Sequence, residues 1–341
     1  MSQLALATVH RCDCRDLAAE MVAAGILVDS IITSPPYPQG KKNPEDMGRY
    51  RRTGTAEEQR GHIHGHPNAK GETGLEVRIH APDWLPWFLD IAAALKPCLK
   101  PNGNFVVNVD SCCYPTRHRH WGVYSLPERM EAQGWCFVEE IVWTKPNGPP
   151  VSASTRFHHS HEKVYWFANG DRWAADIDAV RTEHAEGSLP QFARGLPPPR
   201  DLSLRPWANS GSQWAERGGG YPQAAPNEKG ARPKDVFSCP VGGTRWDPVG
   251  GAHFAAMPLG LAEWIVKWAT KEGEIVFDPF GGAGTTPVAC IRLGRRWVMA
   301  EVTEAAAVIA ERRIQLATQG FMDEEIQPEM PQQMLPLAGR E

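Results

Sequence analysis

The sequence predicts an α/β fold: a mostly parallel sheet in three layers, with helices on both faces. Two observations carry that prediction. Apolar runs short enough for strands alternate with helical periodicities towards both ends of the chain. Two of those runs end on turn sequences, Ser34-Pro35-Pro36-Tyr37 and Asp278-Pro279-Phe280-Gly281-Gly282. In an open parallel sheet, ligands sit beyond the C-terminal ends of the strands, where such turns fall.

The elements follow in order. Residues 5–10 read as a strand, 16–24 as a helix and 28–33 as a second strand stopping at the Pro-Pro turn. Residues 38–80 lack apolar periodicity and are rich in Gly, Arg, Lys and His, so they read as a long loop of the length that usually serves function. Trp84, Trp87, Phe88, Ile91, Leu95 and Leu99 recur at helical spacing, and a strand is expected at 104–109 after the break at 97–103. A helix at 128–133 precedes Gly134, followed by strands at 136–144 and 163–168. From 170 to 251 the periodicity fades into a stretch rich in Gly, Pro, Trp and Arg, expected as an inserted recognition region. Alternation resumes with helix 259–270, strand 274–278, helix 284–293, strand 296–300 and helix 304–316. The expected organisation is therefore one domain in two halves, 1–169 and 252–318, around the insert, with a disordered, acidic, Pro- and Gln-rich tail at 319–341.

At 341 residues the chain is long enough for such a core with an inserted lobe. Its 42% apolar and 22% charged content is that of a globular protein. Met1 opens no basic, apolar leader and no apolar run is long enough for a bilayer, so cytoplasmic residence is expected, nucleoid-associated when on DNA, with no membrane partner. The eight cysteines lack the spacing of a zinc framework and read as free thiols, and no metal is expected. A net charge of −4 argues against a protein that coats nucleic acid along its whole surface, while leaving room for a local basic cleft.

Asp278 ends a strand, and the glycines after it let the backbone turn tightly and approach a ligand. A nicotinamide site would need Gly-x-Gly-x-x-Gly, but counting from Gly282 and Gly284 the third position is Pro287. The Gly-Lys-Ser/Thr ending of a triphosphate loop is also absent. Glu301 ends the next strand, where an acidic side chain can accept the ribose hydroxyls of a nucleoside cofactor. Taken singly, Asp278 also reads as a helix cap and Glu301 as a surface carboxylate.

The Ser34–Tyr37 turn offers acceptors and an aromatic face together. An aromatic exocyclic amine is a poor nucleophile because its lone pair is delocalised, so an enzyme must hold its hydrogens with acceptors and aim the lone pair. Ser34 supplies a hydroxyl oxygen and Pro35 a carbonyl whose direction Pro36 restricts. Tyr37 supplies a stacking face for a flipped base, offsetting part of the few kcal/mol of extrusion. The bland reading is a rigid turn after a strand.

Together these segments resemble the permuted, beta-class DNA amino-methyltransferases that use S-adenosylmethionine. Residues 278–286 match each fixed position of that family's Asp-Pro-Phe-x-Gly-x-Gly-Thr-Thr motif. His253-Phe254-Ala255-Ala256-Met257-Pro258 resembles its His-Phe-Ala-x-x-Pro element, and Leu99-Lys100-Pro101-Asn102-Gly103, Trp143-Thr144-Lys145-Pro146-Asn147 and Ser160-His161-Glu162 match further segments in order. The resemblance implies a Rossmann-like methyltransferase fold with the catalytic motif before the cofactor motif. It implies S-adenosylmethionine held by Asp13, Pro258, Asp278, Pro279, Phe280, Gly281, Gly282, Gly284, Thr285 and Glu301. Asp13 would bond the adenine amine, although Cys12 stands where the family often has Gly. Ser34, Pro35, Pro36 and Tyr37 would be catalytic. Ser-Pro-Pro-Tyr variants lean towards cytosine N4, with adenine N6 as the alternative.

Lys41, Lys42, Arg49, Arg51, Arg52 and Arg60 crowd the loop after the catalytic turn and suit phosphate contacts, as do Lys145 and Asn147. The partners implied are double-stranded DNA and a cognate restriction endonuclease, with the chain a monomer or homodimer. RNA or protein-amide methylation is the second reading, opposed by the motif order. A DNA-binding module without catalysis is the third, opposed by intact Ser34, Tyr37, Asp278 and Glu301.

Overall fold

The computed structural model describes residues 4–39, 66–67, 73–74, 79–111, 119–147, 157–184, 227–241 and 257–320. The basic residues expected at DNA (Lys41, Lys42, Arg51 and Arg52), positions 253–256 and the 321–341 tail lie outside them.

The larger of two compact units comprises Met1–Asp176 and Asp235–Glu341. Its sheet contains eight strands: β1 Val9–His10, β2 Val28–Thr33, β3 Leu99–Val109, β4 Cys136–Thr144, β5 His161–Ala168, β6 Val236–Ser238, β7 Ile275–Asp278 and β8 Arg296–Ala300. They lie in the order β1-β8-β7-β2-β3-β5-β4-β6. β5 alone is antiparallel to its neighbours, and every other pair is parallel. Seven strands therefore end on one edge of the sheet, and β5 begins there. β6 falls inside the 170–251 span that sequence assigns to the insert, and it pairs in parallel with β4 from Val236↔Val142 to Ser238↔Thr144.

Six α-helices of the unit lie among the described residues: α1 Cys14–Ala23, α2 Ala81–Leu95, α3 Leu126–Glu131, α4 Leu259–Ala269, α5 Thr285–Arg292 and α6 Glu304–Thr318. Strand alternation sorts them into two layers. Ile31, Phe105, Val107, Tyr165, Phe167, Phe277 and Val298 point to one core with Leu17 and Met21 of α1, Trp84 and Phe88 of α2, and Leu126 and Met130 of α3. The alternate residues face the other side, where Trp166 of β5 meets Trp268 of α4 with ring centroids 4.7 Å apart. α5 packs between α4 and α6. Among the described residues, no helix is long and apolar enough to cross a membrane.

Three boundaries differ from expectation for local reasons. The first strand shrinks to Val9–His10, because Ala7 adopts φ 58°, a left-handed conformation that interrupts the extended run. The expected turn before residue 104 is absorbed into β3 as an irregularity: the β2–β3 register jumps from Val28↔Leu99 to Ser30↔Asn104, with Asn102 at φ 62°. α1 starts two residues early because Asp13 caps it, its Oδ1 accepting from Arg15 N at 2.9 Å.

The second unit is Ile177–Lys234. Its described part is a 3₁₀ turn, Ile177–Val180, and an antiparallel bridge between Thr182 and Ala231. Arg181 ties these together, pairing with Asp178 at 2.6 Å and donating to Gly230 O at 2.9 Å.

Candidate active site

The edge where β1, β8, β7, β2 and β3 end gathers the sequence-predicted residues in spatial order: Asp13, Glu301, Asp278, Ser34. Thr33, the last residue of β2, donates its hydroxyl to Asp278 Oδ1 at 2.7 Å. One hydrogen bond thus joins the Ser34–Tyr37 turn to the glycine loop, 245 residues apart in the chain. α2 braces both: Trp84 Nε1 donates to Pro36 O at 2.7 Å, and Trp87 packs on Phe280 with centroids 5.4 Å apart. With Pro36 O taken, no donor meets the neighbouring Pro35 carbonyl among the described residues.

Asp278 is buried, and burial pushes its carboxyl up to about 6, although the hydroxyls of Thr286 and Thr33 and the Phe280 N–H pull the other way. Glu301 holds the loop from its other side: Oε2 accepts from Gly282 N and Oε1 from Thr303 N, each at 2.8 Å. Among the described residues neither carboxylate has a basic partner. Two acidic side chains around a glycine loop, with no basic partner among the described residues, fit a ligand that brings hydroxyls and positive charge, which is the chemistry of a nucleoside joined to an amino acid through a sulfonium.

Gly284 makes the loop's last turn at φ 78° and sits against α6, where an added Cβ would lie 3.1 Å from Ala310 Cβ and 3.2 Å from its Cα. Arg313 of α6, buried, donates to Ala283 O at 2.8 Å and so fixes the same turn. Gly284→Ala is expected to cost at least about 1–2 kcal/mol from the left-handed conformation alone, with further loss from pressing on Ala310. A thermal melt reads the loss directly, and wild-type stability would show that the loop accommodates a side chain.

Asp13 follows β1 as the N-cap of α1, and its carboxylate is engaged by Arg15 at 2.6 Å. Pro258 precedes α4 and is its N-cap. Lys145 and Asn147, expected at DNA, are both committed within the protein. Lys145 pairs with the buried Glu162 and lies 4.9 Å from the centre of the Trp143 ring. Asn147 exchanges two hydrogen bonds with Val241, Oδ1 accepting at 2.7 Å and Nδ2 donating at 3.1 Å, which ties the end of β4 to the chain beyond β6.

Sequence reasoning missed the residues beneath the Ser34–Tyr37 turn. Tyr37 Oη donates to Glu162 Oε2 at 2.5 Å and lies 3.1 Å from Asn108 Oδ1. Ser34 Oγ lies 3.4 Å from Tyr37 Oη and 3.5 Å from Asn108 Oδ1. Burial and the Glu162 charge push the Tyr37 phenol well above its ordinary value, so it stays a neutral donor. Just beyond β3, Asp110 meets His159 at 2.6 Å and Arg119 at 3.4 Å. Burial drives that carboxyl up, but His159, the Ser111 N–H and Arg119 outweigh it and hold it below the usual range. The available signal was Asn104 and Asn108 within the strand, on either side of the apolar run 105–107, and Asp110 just after it. Beyond β4 and β6 opens a cavity of about 320 Å³ lined by Thr144, Lys145, Pro146, His158, Ser160 and Ser238.

A parallel sheet with one reversed strand, carrying an acidic glycine loop bonded to a Pro-rich turn at one edge, is a Rossmann-like methyltransferase fold. The chain belongs to the DNA methylase family of N6/N4 methyltransferases, whose profile matches residues 28–312. It is 26% identical to the type II methyltransferase M.Cfr9I of Citrobacter freundii over 192 residues, 56% of this chain and 49% of that one. It is 22% identical to M.SmaI of Serratia marcescens over 273 residues, covering 72% and 77% of the two chains. The chain thus spans about half the length of the Citrobacter relative. Among solved structures, PvuII DNA methyltransferase (cytosine-N4-specific) superposes with TM-score 0.55 at 17% identity, covering 92% of this chain and 93% of that one. The M1.HpyAVI–SAM complex gives 0.51 at 19%, covering 91% and 99%.

Proposed function

We propose that this protein is a site-specific DNA methyltransferase that transfers a methyl group from S-adenosylmethionine to the exocyclic amine of a flipped base, cytosine N4. The observation that carries the reading is the Thr33–Asp278 hydrogen bond, which sets the acceptor-rich turn beside the acidic glycine loop. When bound, S-adenosylmethionine supplies an activated methyl group on a cationic sulfur.

The chain's own residues do the rest. Glu301, with both oxygens already aligned by backbone N–H groups, accepts the ribose hydroxyls. Asp278 and the 280–284 backbone surround the cationic amino-acid portion with Pro258 beside it, and Asp13 bonds the adenine amine. Ser34 Oγ and the Pro35 carbonyl accept the hydrogens of the base amine and aim its lone pair. Tyr37 stacks on the base. Holding the amine this way replaces solvation with fixed acceptors, and no further group is required to raise its nucleophilicity.

Region 170–251 is proposed as the target-recognition region of a protein that binds double-stranded DNA. The hydroxyls and imidazole lining the cavity beyond β4 suit a phosphate. The type II relatives favour a role opposite a cognate restriction endonuclease. The choice of cytosine rests on the Ser34-Pro35-Pro36-Tyr37 turn and on the fold shared with a cytosine-N4-specific enzyme.

Mass spectrometry of nucleosides from DNA incubated with the protein and S-adenosylmethionine tests the reading. N4-methylcytosine is the expected product. N6-methyladenine would keep the site and reverse the base, and no methylated base across DNA of diverse sequence would overturn the proposal.

A further inference from the structure

The polar groups under the catalytic turn can be assigned hydrogen by hydrogen. Asn108 is buried on β3, and its Nδ2 donates to Glu162 Oε2 at 3.1 Å and to Lys163 O at 3.2 Å. Both of those partners only accept, so the amide nitrogen must face them and Oδ1 must face Tyr37 and Ser34. The single Tyr37 proton goes to Glu162 Oε2 at 2.5 Å. Tyr37 Oη and Asn108 Oδ1 therefore both turn lone pairs towards Ser34. Among the described residues the Ser34 hydroxyl proton has acceptors only inward, at 3.4 and 3.5 Å, which leaves the Ser34 lone pairs to point outward. Those contacts are long, as expected before a substrate tightens them.

We propose that Glu162 is a positioning residue for methyl transfer: it sets the direction of the hydrogen-bond chain through Tyr37 and Asn108, so that Ser34 meets the target amine as an acceptor. This rests on the base-methylation reading above. The reverse direction would offer the amine a proton from Ser34, engaging the lone pair that must attack. Lys145 completes the device by binding Glu162 Oε1, which leaves Oε2 for Tyr37 and Asn108. In this arrangement a buried ion pair serves to orient neutral groups rather than to stabilise the fold.

Glu162→Gln is a near-isosteric test. Lys145 still donates, so it holds the amide oxygen, and the new NH₂ group faces Tyr37 and Asn108 as a donor. The chain then meets donor against donor. We expect single-turnover methyl transfer to fall about 100-fold, with circular dichroism and calorimetric affinity for S-adenosylmethionine unchanged. Tyr37, followed by phenolate absorbance as a difference from Tyr37→Phe, should ionise at lower pH in the Glu162→Gln protein, because the neighbouring charge is gone. An active wild type with an equally fast Glu162→Gln protein would overturn this inference alone, as would an unchanged Tyr37 titration. A wild type that methylates no base would overturn both this and the function it rests on. Tyr37→Phe probes the same chain without disturbing the ion pair: about a 10-fold loss with cofactor affinity intact supports it, and full rate refutes it.

Discussion

Asp278→Asn is expected to make the ligand-free protein more stable at neutral pH and, at the same time, a poorer binder of S-adenosylmethionine. The folded-state carboxyl titrates at about 6 against an ordinary 3.8, chiefly because it is buried. A shift of that size corresponds to about 3 kcal/mol. The sign follows from linkage: between the two values the folded state binds more protons than the unfolded chain, so this group's contribution worsens as pH rises. Its contribution is most favourable below about pH 4 and is lost as pH passes through about 6. Asparagine can still accept from Thr33 and Phe280 through its amide oxygen, without burying a charge. The variant should therefore melt later than wild type at about pH 8, the gap closing towards about pH 4. Its cofactor affinity should fall roughly 10- to 100-fold, the scale of a hydrogen bond to a charged group. Wild-type affinity should itself weaken as pH drops below about 6, where Asp278 protonates. Coincident melting curves at high pH would refute the burial cost, and unchanged calorimetric affinity would refute the cofactor role.

The second large effect belongs to the Ser34–Tyr37 turn. Ser34→Ala removes the hydroxyl acceptor and should lower methyl transfer about 100- to 1000-fold, the range seen when one aligned group of an electrostatic site is deleted. Cofactor affinity should survive, because Asp278 keeps its bond from Thr33. Tyr37→Ala should reduce turnover as severely, and also lower stability by about 1–3 kcal/mol, because it leaves buried Glu162 without its phenol donor. The two variants thus separate chemistry from folding: both lose turnover and only the second loses thermal stability. Turnover at the wild-type rate in both would remove this turn from the mechanism.

Much of the frame was legible because parallel strands buried on both faces are short apolar runs, and helices packed on them keep one apolar stripe. β2, β4 and β8 carry no breaking residue inside the run, and each matches the sequence reading. The ends of β2, β7 and β8 carry Ser34, Asp278 and Glu301, so the candidate site was legible wherever a strand pattern met a turn signature. Ala7 was not legible as a left-handed residue, because alanine rarely adopts that conformation, whereas Asn102 is of a type that does so more readily.

The sequence by itself determined the elements, their order and the two motifs at strand ends, since periodicity and turn chemistry are local properties. Tertiary structure alone decided which side chains share hydrogen atoms. Lys145 and Asn147 read from sequence as a cation and an amide for DNA, and only folding shows that Glu162 and Val241 lie against them. Asn108 and Glu162 lie 54 residues apart and carry no local mark of partnership. Their roles arise because β5 runs opposite to β3, which brings the start of one strand to the end of the other beneath Tyr37.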